Sequence, residues 1–392
     1  MNLPQSCLTQ ALVGSNNVAL DIDAILTNPD KHIIVCTGSG GVGKTTTAAA
    51  LGLRAAELGR NVCVLTIDPA RRLAQAMGLN ELDNTPRPVA GISNGSLSAM
   101  MLDMKRTFDE VVESHSDPER AEKILSNPFY QALSSSFAGT QEYMAMEKLG
   151  QLRADASQWD LIIVDTPPSR NALDFLDAPA RLGSFLDGRL IRIITAPARG
   201  AGRGIGRLAA LGFGIFTNVL SKLLGAQVLA DVGNFVADID TTFGGFRERA
   251  DATYALLKDS GTEFIVVATP ERDALREAAY FVERLNQDSM PLGGLILNRV
   301  QEVPETGLTQ DQLLAAAQKL TAEGSGPLTA ALLELHAQRI EIKERQKHLS
   351  ARFTAAHPDV AVQPIPAMPQ DVHDLAGLRE IGAALANQEI NW

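Results

Sequence analysis

The chain has 392 residues, of which 45% are hydrophobic and 21% are charged, and its formal net charge is −11. This is the composition of an ordinary globular protein, long enough for one large domain or two small ones. General affinity for nucleic acid needs a basic face, so the acidic charge balance predicts that no nucleic acid is bound.

The sequence also predicts a cytoplasmic protein in a reducing compartment. The N-terminus lacks a basic segment followed by an apolar stretch, so no signal peptide is expected. The longest charge-free apolar stretch, residues 208–221, has 14 residues, whereas a membrane-spanning helix needs ~20. The three cysteines, Cys7, Cys36 and Cys63, show no CxxC spacing, which argues against a disulfide framework or a zinc site.

Short apolar runs rich in β-branched residues alternate with helical patterns along the chain. The runs predict buried strands at residues 32–37, 61–66, 161–165, 263–268 and 292–298. Helical patterns fill residues 45–58 and 271–285. This alternation predicts an α/β fold with a doubly wound, mostly parallel sheet, which binds ligands at the carboxyl ends of its strands.

We expect a single domain over residues 1–392, with a helical subdomain inserted in the sheet. Residues 105–255 are too many for one crossover between strands and contain one predicted strand. The sheet core is therefore predicted for about 30–104, 156–170, 256–300 and 352–392. Helical insertions are predicted for about 105–155, 171–255 and 301–351.

A glycine-rich segment, VCTGSGGVGKTTT at residues 35–47, follows the first predicted strand and opens a helix. It fits the phosphate-loop pattern G-x-x-x-x-G-K-[ST], in which backbone N–H groups and the helix N-terminus hold phosphates. The lysine of this pattern reaches the β- and γ-phosphates, and its Ser/Thr hydroxyl ligates Mg²⁺. The predicted phosphate-binding residues of a nucleoside triphosphate site are Gly40, Gly41, Val42, Gly43, Lys44, Thr45 and Thr46.

Two aspartates end predicted strands and are candidates for the same site. Asp165 has the position of a carboxylate that holds Mg²⁺ together with Thr45, although alone it reads equally well as a turn or cap residue. Asp68 precedes Pro69 after the second strand. It is a candidate catalytic residue that orients or deprotonates the attacking water, and capping of the following helix is an equally good interpretation of its spacing.

With these three elements, the sequence resembles the ArsA family of ATPases, whose variant phosphate loop reads G-K-G-G-V-G-K-T-T. Asp68 and Asp165 match the family's first and second switch segments, which the resemblance assigns to water activation and γ-phosphate sensing. Asn298 matches its adenine-recognising asparagine, and Pro366 and Ala367 match the loop that closes over the base. The resemblance therefore implies binding and hydrolysis of ATP with Mg²⁺, with catalytic roles for Lys44 and Asp68.

The sequence departs from the family pattern in ways that bear on partners. Ser39 replaces the signature lysine that reaches across a dimer interface to the partner's nucleotide. We therefore expect a dimer with a paralogous ATPase that keeps this lysine. The cysteine triad that binds metalloid in arsenite-pump members has no counterpart, and neither has the CxxC that joins the homodimer in members that target tail-anchored membrane proteins.

The second insertion carries a candidate surface for a hydrophobic client or a membrane. In the targeting members, helices inserted here build an apolar groove. Residues 188–230 contain no Asp or Glu but carry six cations, and they include the apolar stretch 208–221. We predict a client- or membrane-facing surface at about 185–246, which would place the protein at the membrane surface, while packing into a subdomain core is an equal alternative. Phe129, Phe137, Tyr143, Met144 and Met146 pose the same choice between groove and core.

Three functions remain open. The first is a dimeric switch ATPase that couples its nucleotide state to a hydrophobic client- or membrane-facing helical subdomain. The second is an ATPase subunit that energises an anion transporter of the arsenite type. The third is a nucleotide-binding scaffold with weak hydrolysis.

Overall fold

The computed structural model describes residues 19–68, 72–127, 130–131, 134, 140–155, 157–167 and 246–387. These residues form one eight-stranded sheet with the strand order β3-β4-β2-β5-β1-β6-β7-β8. All pairs are parallel except β3–β4. The strands are β1 Ile33–Thr37, β2 Asn61–Thr66, β3 Arg87–Pro88, β4 Ser96–Met101, β5 Leu161–Asp165, β6 Thr262–Ala268, β7 Leu292–Val300 and β8 Val362–Pro366.

The helices of the described ranges lie between these strands and are numbered here in chain order. They are α1 Ile22–Thr27, α2 Lys44–Glu57, α3 Arg72–Ala76, α4 Met104–His115, α5 Pro118–Ser126, α6 Thr140–Ala154, α7 Phe246–Lys258, α8 Arg272–Gln287, α9 Gln310–Ala322, α10 Pro327–Ala356 and α11 Leu375–Ala386. None of them is both long and apolar enough to pass through a bilayer.

The sheet is buried on both faces, because neighbouring residues of its central strands point into two separate cores. In β1, Ile33 and Val35 belong to one core, and Ile34 and Cys36 to the other. The first core is closed by α4, α6, α7 and α8, and the second by α1, α2, α3 and α11. This two-sided burial explains the continuous apolar runs of the sequence and confirms the predicted α/β fold with a mostly parallel sheet.

The five predicted strands are present, with small shifts at their ends. Three further strands, β3, β4 and β8, have no counterpart among the predicted runs. β3 has two exposed residues at the sheet edge. β4 begins with serines that alternate with apolar residues, so it lacks a continuous apolar run. β8 contains two prolines, and proline is typical of edge strands rather than buried ones. Tertiary pairing overrides these weak local signals.

The described parts of the insertions are mostly helical. Residues 301–351 contain α9 and most of α10, and α10 continues to Ala356. Tyr143, Met144 and Met146 of α6 are buried in the first core, so they fill a core and do not line an open groove. Phe129, Phe137 and residues 168–245 lie outside the described residues.

Candidate nucleotide site

The glycine-rich loop connects β1 to α2, as its pattern predicts. Gly43 is the N-cap of α2 and has a left-handed backbone with φ 96°. A side chain at Gly38, where φ is 151°, would place Cβ at 2.1 Å from the Val267 carbonyl oxygen of β6. The loop therefore needs glycine at both positions. It leads into the N-terminus of α2, whose first N–H groups can donate hydrogen bonds to a phosphate.

Lys44 lies at the first position of α2 and folds back over the loop. Its Nζ donates a hydrogen bond of 2.8 Å to the Ser39 carbonyl oxygen, and the residue is buried. Burial lowers the pKa of the Lys44 ammonium, while the charges of Asp165 and Asp68 act in the opposite direction. The ammonium is thus held inside the loop, where it faces the position predicted for phosphate oxygens.

Thr45 and Asp165 come together although 120 residues separate them in the chain. The Thr45 hydroxyl donates to Asp165 Oδ2 at 2.7 Å. The Thr66 hydroxyl, at the end of β2, donates to the same oxygen at 2.9 Å. The strand register explains why these residues lie together. Asp165 of β5 is paired with Thr66 of β2 on one side and with Cys36 of β1 on the other, and the loop after β1 leads to Thr45.

Asp165 is fully buried, and its second carboxylate oxygen, Oδ1, has no hydrogen-bond partner. Burial raises the pKa of this carboxyl to about 6, against the lowering effect of the hydrogen bonds from Thr45 and Thr66 and of the Lys44 charge. A buried polar atom without a partner is costly unless a ligand satisfies it. Mg²⁺ prefers hard oxygen ligands and takes one or two from the protein, so the Thr45 hydroxyl and the Asp165 carboxylate fit this ion.

Asp68 follows β2 next to the cluster around Asp165. Its backbone N–H donates to the Thr66 hydroxyl oxygen at 3.2 Å. Its negative charge raises the pKa of both Lys44 and Asp165. The adjoining residues 69–71 lie outside the described ones, so the choice between a water-orienting and a helix-capping role stays open.

Asn298 lies in β7 against the phosphate loop. Its Nδ2 donates to the Val42 carbonyl oxygen at 2.8 Å, and a Cβ added at Gly43 would lie 2.3 Å from this nitrogen. The strand does not end at Asn298 as predicted but continues to Val300, with a register irregularity and a left-handed Arg299 at φ 61°. The structure thus shows a bond to the phosphate loop that the sequence did not suggest.

Pro366 and Ala367 lie at the carboxyl end of β8. Pro366 is paired with Val300 of β7, and the Ala367 N–H donates to the Val300 carbonyl oxygen at 2.9 Å. This pairing brings the predicted base-binding residues to the strand next to Asn298. Their role in adenine binding remains a prediction.

Thr66 is the member of the cluster that the sequence did not single out. Its hydroxyl links the Asp68 backbone to the Asp165 carboxylate. One signal was available, namely a hydroxyl residue that ends a strand two positions before Asp68. That signal is weak because threonine is common in strands for other reasons.

The geometry defines a phosphate-binding loop of the strand–loop–helix type on a mostly parallel sheet, with a carboxylate and two hydroxyls beside it. Comparison with known proteins identifies the family within this class of phosphate-binding folds. The family model of anion-transporting ATPases (ArsA ATPases) matches residues 31–323. The chain therefore belongs to this family, and it is an ATPase.

The individual relatives share about a quarter of their aligned residues with this chain. The chain is 26% identical over 313 residues to the ATPase GET3 of Podospora anserina, covering 79% of this chain and 85% of that protein. It is also 26% identical over 272 residues to the ATPase GET3 of Malassezia globosa, with coverages of 69% and 73%. The arsenical pump-driving ATPase of Acidiphilium multivorum is 26% identical over 304 residues, which are 76% of this chain but 44% of that protein.

Proposed function

We propose that this protein is an Mg²⁺-dependent switch ATPase whose nucleotide state controls contacts with a client or a membrane surface. The observation that carries the nucleotide part is the cluster of Thr45, Thr66 and Asp165, with one buried Asp165 oxygen left for a ligand. Membership of the ATPase family supports the reaction.

The residues of the cluster have distinct tasks in this proposal. Backbone N–H groups of the loop bind the phosphates, and Lys44 Nζ exchanges the Ser39 carbonyl for β- and γ-phosphate oxygens. Thr45 and Asp165 would hold the metal ion, which supplies positive charge to the site when it is bound. Asp68 orients the attacking water and accepts its proton.

The test compares the wild-type chain with Asp68→Asn in Mg²⁺-dependent ATP hydrolysis and in ATP binding. We expect turnover to be lost while the affinity for ATP stays within ~3-fold, since a water-orienting residue does not hold the nucleotide. If Asp68→Asn leaves turnover unchanged, Asp68 has no catalytic role and the scaffold function with weak hydrolysis gains support.

We further propose a dimer with a paralogous ATPase, because Ser39 cannot supply a positive charge to a partner's nucleotide. Ser39 is largely buried, and its carbonyl oxygen already accepts the Lys44 ammonium. A charge supplied in trans is worth ~10³–10⁵ in rate in related phosphoryl-transfer systems. We expect slow turnover by the chain alone and a rise of at least ~10²-fold with a paralogue that carries the lysine, and equal rates would refute the heterodimer.

The client- or membrane-facing part of the proposal rests on residues 185–246, which lie outside the described residues except at their end. Its support is the basic and apolar composition of the segment and the similarity to GET3 ATPases. We expect a cytoplasmic protein with a peripheral membrane contact. Light-activated crosslinking from residue 213 to an apolar helix, with and without ATP, is the direct measurement.

The similarity to an arsenical pump-driving ATPase keeps anion transport as the second candidate. It predicts that arsenite or antimonite stimulates hydrolysis. Cys36 and Cys63 are buried in β1 and β2, and burial raises the pKa of both thiols, that of Cys63 to about 12. A metalloid needs accessible thiolates, so these two cysteines do not serve as its ligands.

A further inference from the structure

The helix α10 carries an exposed row of leucines that nothing in the described residues covers. Leu328, Leu332 and Leu335 are 73%, 56% and 52% exposed. They are spaced by four and three residues, so they form one narrow row, which we name the leucine stripe. The helix α10 packs on α9, and Ala330 and Ala337, on the opposite side of this part of the helix, are buried.

The stripe continues at the same spacing into the protein's own core. The next positions of the repeat are Arg339, Ile342, Gln346, Leu349 and Phe353. Phe353 is buried in the first core, and Leu349 packs against that core. One face of α10 is therefore covered at its C-terminal end and exposed at its N-terminal end, which is the pattern of a helix that offers half of its seam to a partner.

Three cations at and beside the middle of this face border a cavity. A cavity of about 470 Å³ lies between α10 and residues 300–304. Arg339, Lys343 and Lys347 line it, and Glu302 is the one acidic residue among the lining residues. Within the described part of the chain these three cations form no ion pair. The excess positive charge favours a partner that brings carboxylates.

The distribution of charge argues against a second copy of this chain as the partner. The acidic residues of α10 (Glu334, Glu341 and Glu344) lie off the seam, and Glu341 accepts a hydrogen bond from Gln310 of α9 at 3.5 Å. A second copy paired along this face would bring Glu302 as the one carboxylate of its groove against three cations, so the positive charge would not be balanced.

The width of the stripe argues against a membrane. Thr329, Ala331, His336 and Gln338 flank the leucines, so the apolar row is one residue wide. A helix that lies in a bilayer interface needs a broad apolar face, whereas a single row at heptad spacing suits another helix.

We propose that α10 and residues 300–304 form a docking groove for an acidic amphipathic helix of a partner protein. Apolar residues of that helix pack on the leucine stripe, and its carboxylates bind next to Arg339, Lys343 and Lys347. This surface is separate from residues 185–246. It borders Ala367 of the predicted base-binding loop, but the docking of a helix does not require the proposed ATPase mechanism.

The test uses the full chain and a fluorescent synthetic helix of about 21 residues, which is three heptads, with leucines at its seam in one half and glutamates in the other. We expect saturable binding with a Kd below ~100 µM, and at least ~10-fold weaker binding to the double variant Leu332→Ser/Leu335→Ser. The control Tyr280→Ser removes an equally exposed side chain from α8 and should bind the helix like wild type.

A charge exchange tests the basic part of the groove. The double variant Lys343→Glu/Lys347→Glu should bind the acidic helix at least ~10-fold more weakly than wild type. It should bind more tightly than wild type to a helix in which lysines replace the glutamates. Arg272→Glu, at an exposed position of α8, is the matched control. The proposal is overturned if wild type binds both helices equally, binds neither, or binds independently of the leucines.

Three further measurements exclude other occupants of the groove. Leucine-dependent binding to vesicles of anionic phospholipid would identify a membrane face, and leucine-dependent self-association in sedimentation would identify a second copy; either result overturns the proposal. Because Ala367 also borders the cavity, ATP affinity is measured in parallel. We expect it to be unchanged, and a loss in Lys343→Glu/Lys347→Glu would assign the cavity to the nucleotide instead.

Discussion

At the scale of single residues, Asp165 shows how burial and hydrogen bonding compete. Two hydroxyls and the Lys44 ammonium favour its ionised form, yet burial has the larger effect and raises the pKa of the carboxyl to about 6. A cation at its second oxygen would stabilise the ionised form of the Asp165 carboxyl in addition to these groups.

The pKa of Asp165 predicts a pH dependence of stability for the metal-free protein. The folded state binds this proton more tightly than the unfolded state, whose aspartate pKa is ~3.9, so stability falls as pH rises from about 4 to above 6. The shift to about 6 corresponds to a loss on the order of 3 kcal/mol. Asp165→Asn should lack this loss. In EDTA, the urea midpoint of Asp165→Asn minus that of the wild type should therefore increase as the pH rises.

Asp371→Asn, at an exposed position, serves as the control for this experiment and should follow the wild-type pH profile. If the difference between wild type and Asp165→Asn is the same at pH 4.5 and pH 7.5, the raised pKa of Asp165 is wrong.

At the scale of elements, the phosphate loop is held from both sides by other strands. β6 supports Gly38 through the close approach of Val267, and β7 supports Val42 and Gly43 through Asn298. The loop conformation thus depends on the neighbouring strands as well as on its own glycines.

Asn298→Ala should therefore weaken binding of inorganic tripolyphosphate as well as ATP. The lost hydrogen bond to Val42 loosens the loop that holds the phosphates, at a cost of about 1 kcal/mol, or roughly 5-fold in Kd. Calorimetric titration of both ligands checks this. A residue that only recognises adenine would change the Kd for ATP and leave tripolyphosphate binding unchanged.

Arg60, just before β2, ties several chain segments together at the amino ends of the strands. Its guanidinium donates to the carbonyl oxygens of Leu26, Asn28, Lys31 and Asp160 at 2.7–3.2 Å. Leu26 lies in the last turn of α1 and Asn28 is its C-cap, while Lys31 and Asp160 precede β1 and β5. One side chain therefore orders the entry to the central strands.

Arg60→Lys should lower the free energy of unfolding by about 1–3 kcal/mol. A lysine ammonium cannot reach four carbonyls arranged around a planar fork, and some of them then lose their partner. Arg87→Lys, in an exposed ion pair with Asp83, is the matched control and should change stability much less than Arg60→Lys does, because solvent screens exposed ion pairs. Urea denaturation measures both, and equal small effects would contradict the bracing role of Arg60.

At the scale of the whole molecule, the candidate site joins segments that are far apart in the chain. The ends of β1, β2, β5 and β7 meet at one edge of the sheet. A ligand that contacts all of them stabilises the entire sheet, because unfolding any of these strands destroys the site.

Mg·ATP should therefore raise the free energy of unfolding of the described domain by about 2.7 kcal/mol at a hundred times its Kd. Omitting Mg²⁺ should remove part of this gain, and Thr45→Ala should show the reduced gain even with Mg²⁺, since it lacks the hydroxyl ligand. Thermal melts with ATP and either Mg²⁺ or EDTA measure the effect. An equal gain in EDTA would contradict a metal ion held by Thr45 and Asp165.

Local chemistry was sufficient for the loop and the central strands. The glycines and Lys44–Thr45 define the loop because its backbone conformation and its N–H groups are local properties. The apolar runs predicted β1, β2, β5, β6 and β7 because strands buried on both faces carry an uninterrupted apolar signal. The helix α10 falls in the helical insertion predicted at about 301–351, but the sequence did not predict which of its leucines are exposed.

The tertiary structure alone decided which distant residues meet. The pairing register of β2, β5 and β1 places Thr66, Thr45 and Asp165 together, and no spacing along the chain encodes that register. The pairing of β7 with β8, and the contact of Asn298 with Val42, likewise depend on strand order. Local sequence determines which segments form strands, helices and turns, but contacts across the sheet are set by how those segments pack, and packing is a property of the whole chain.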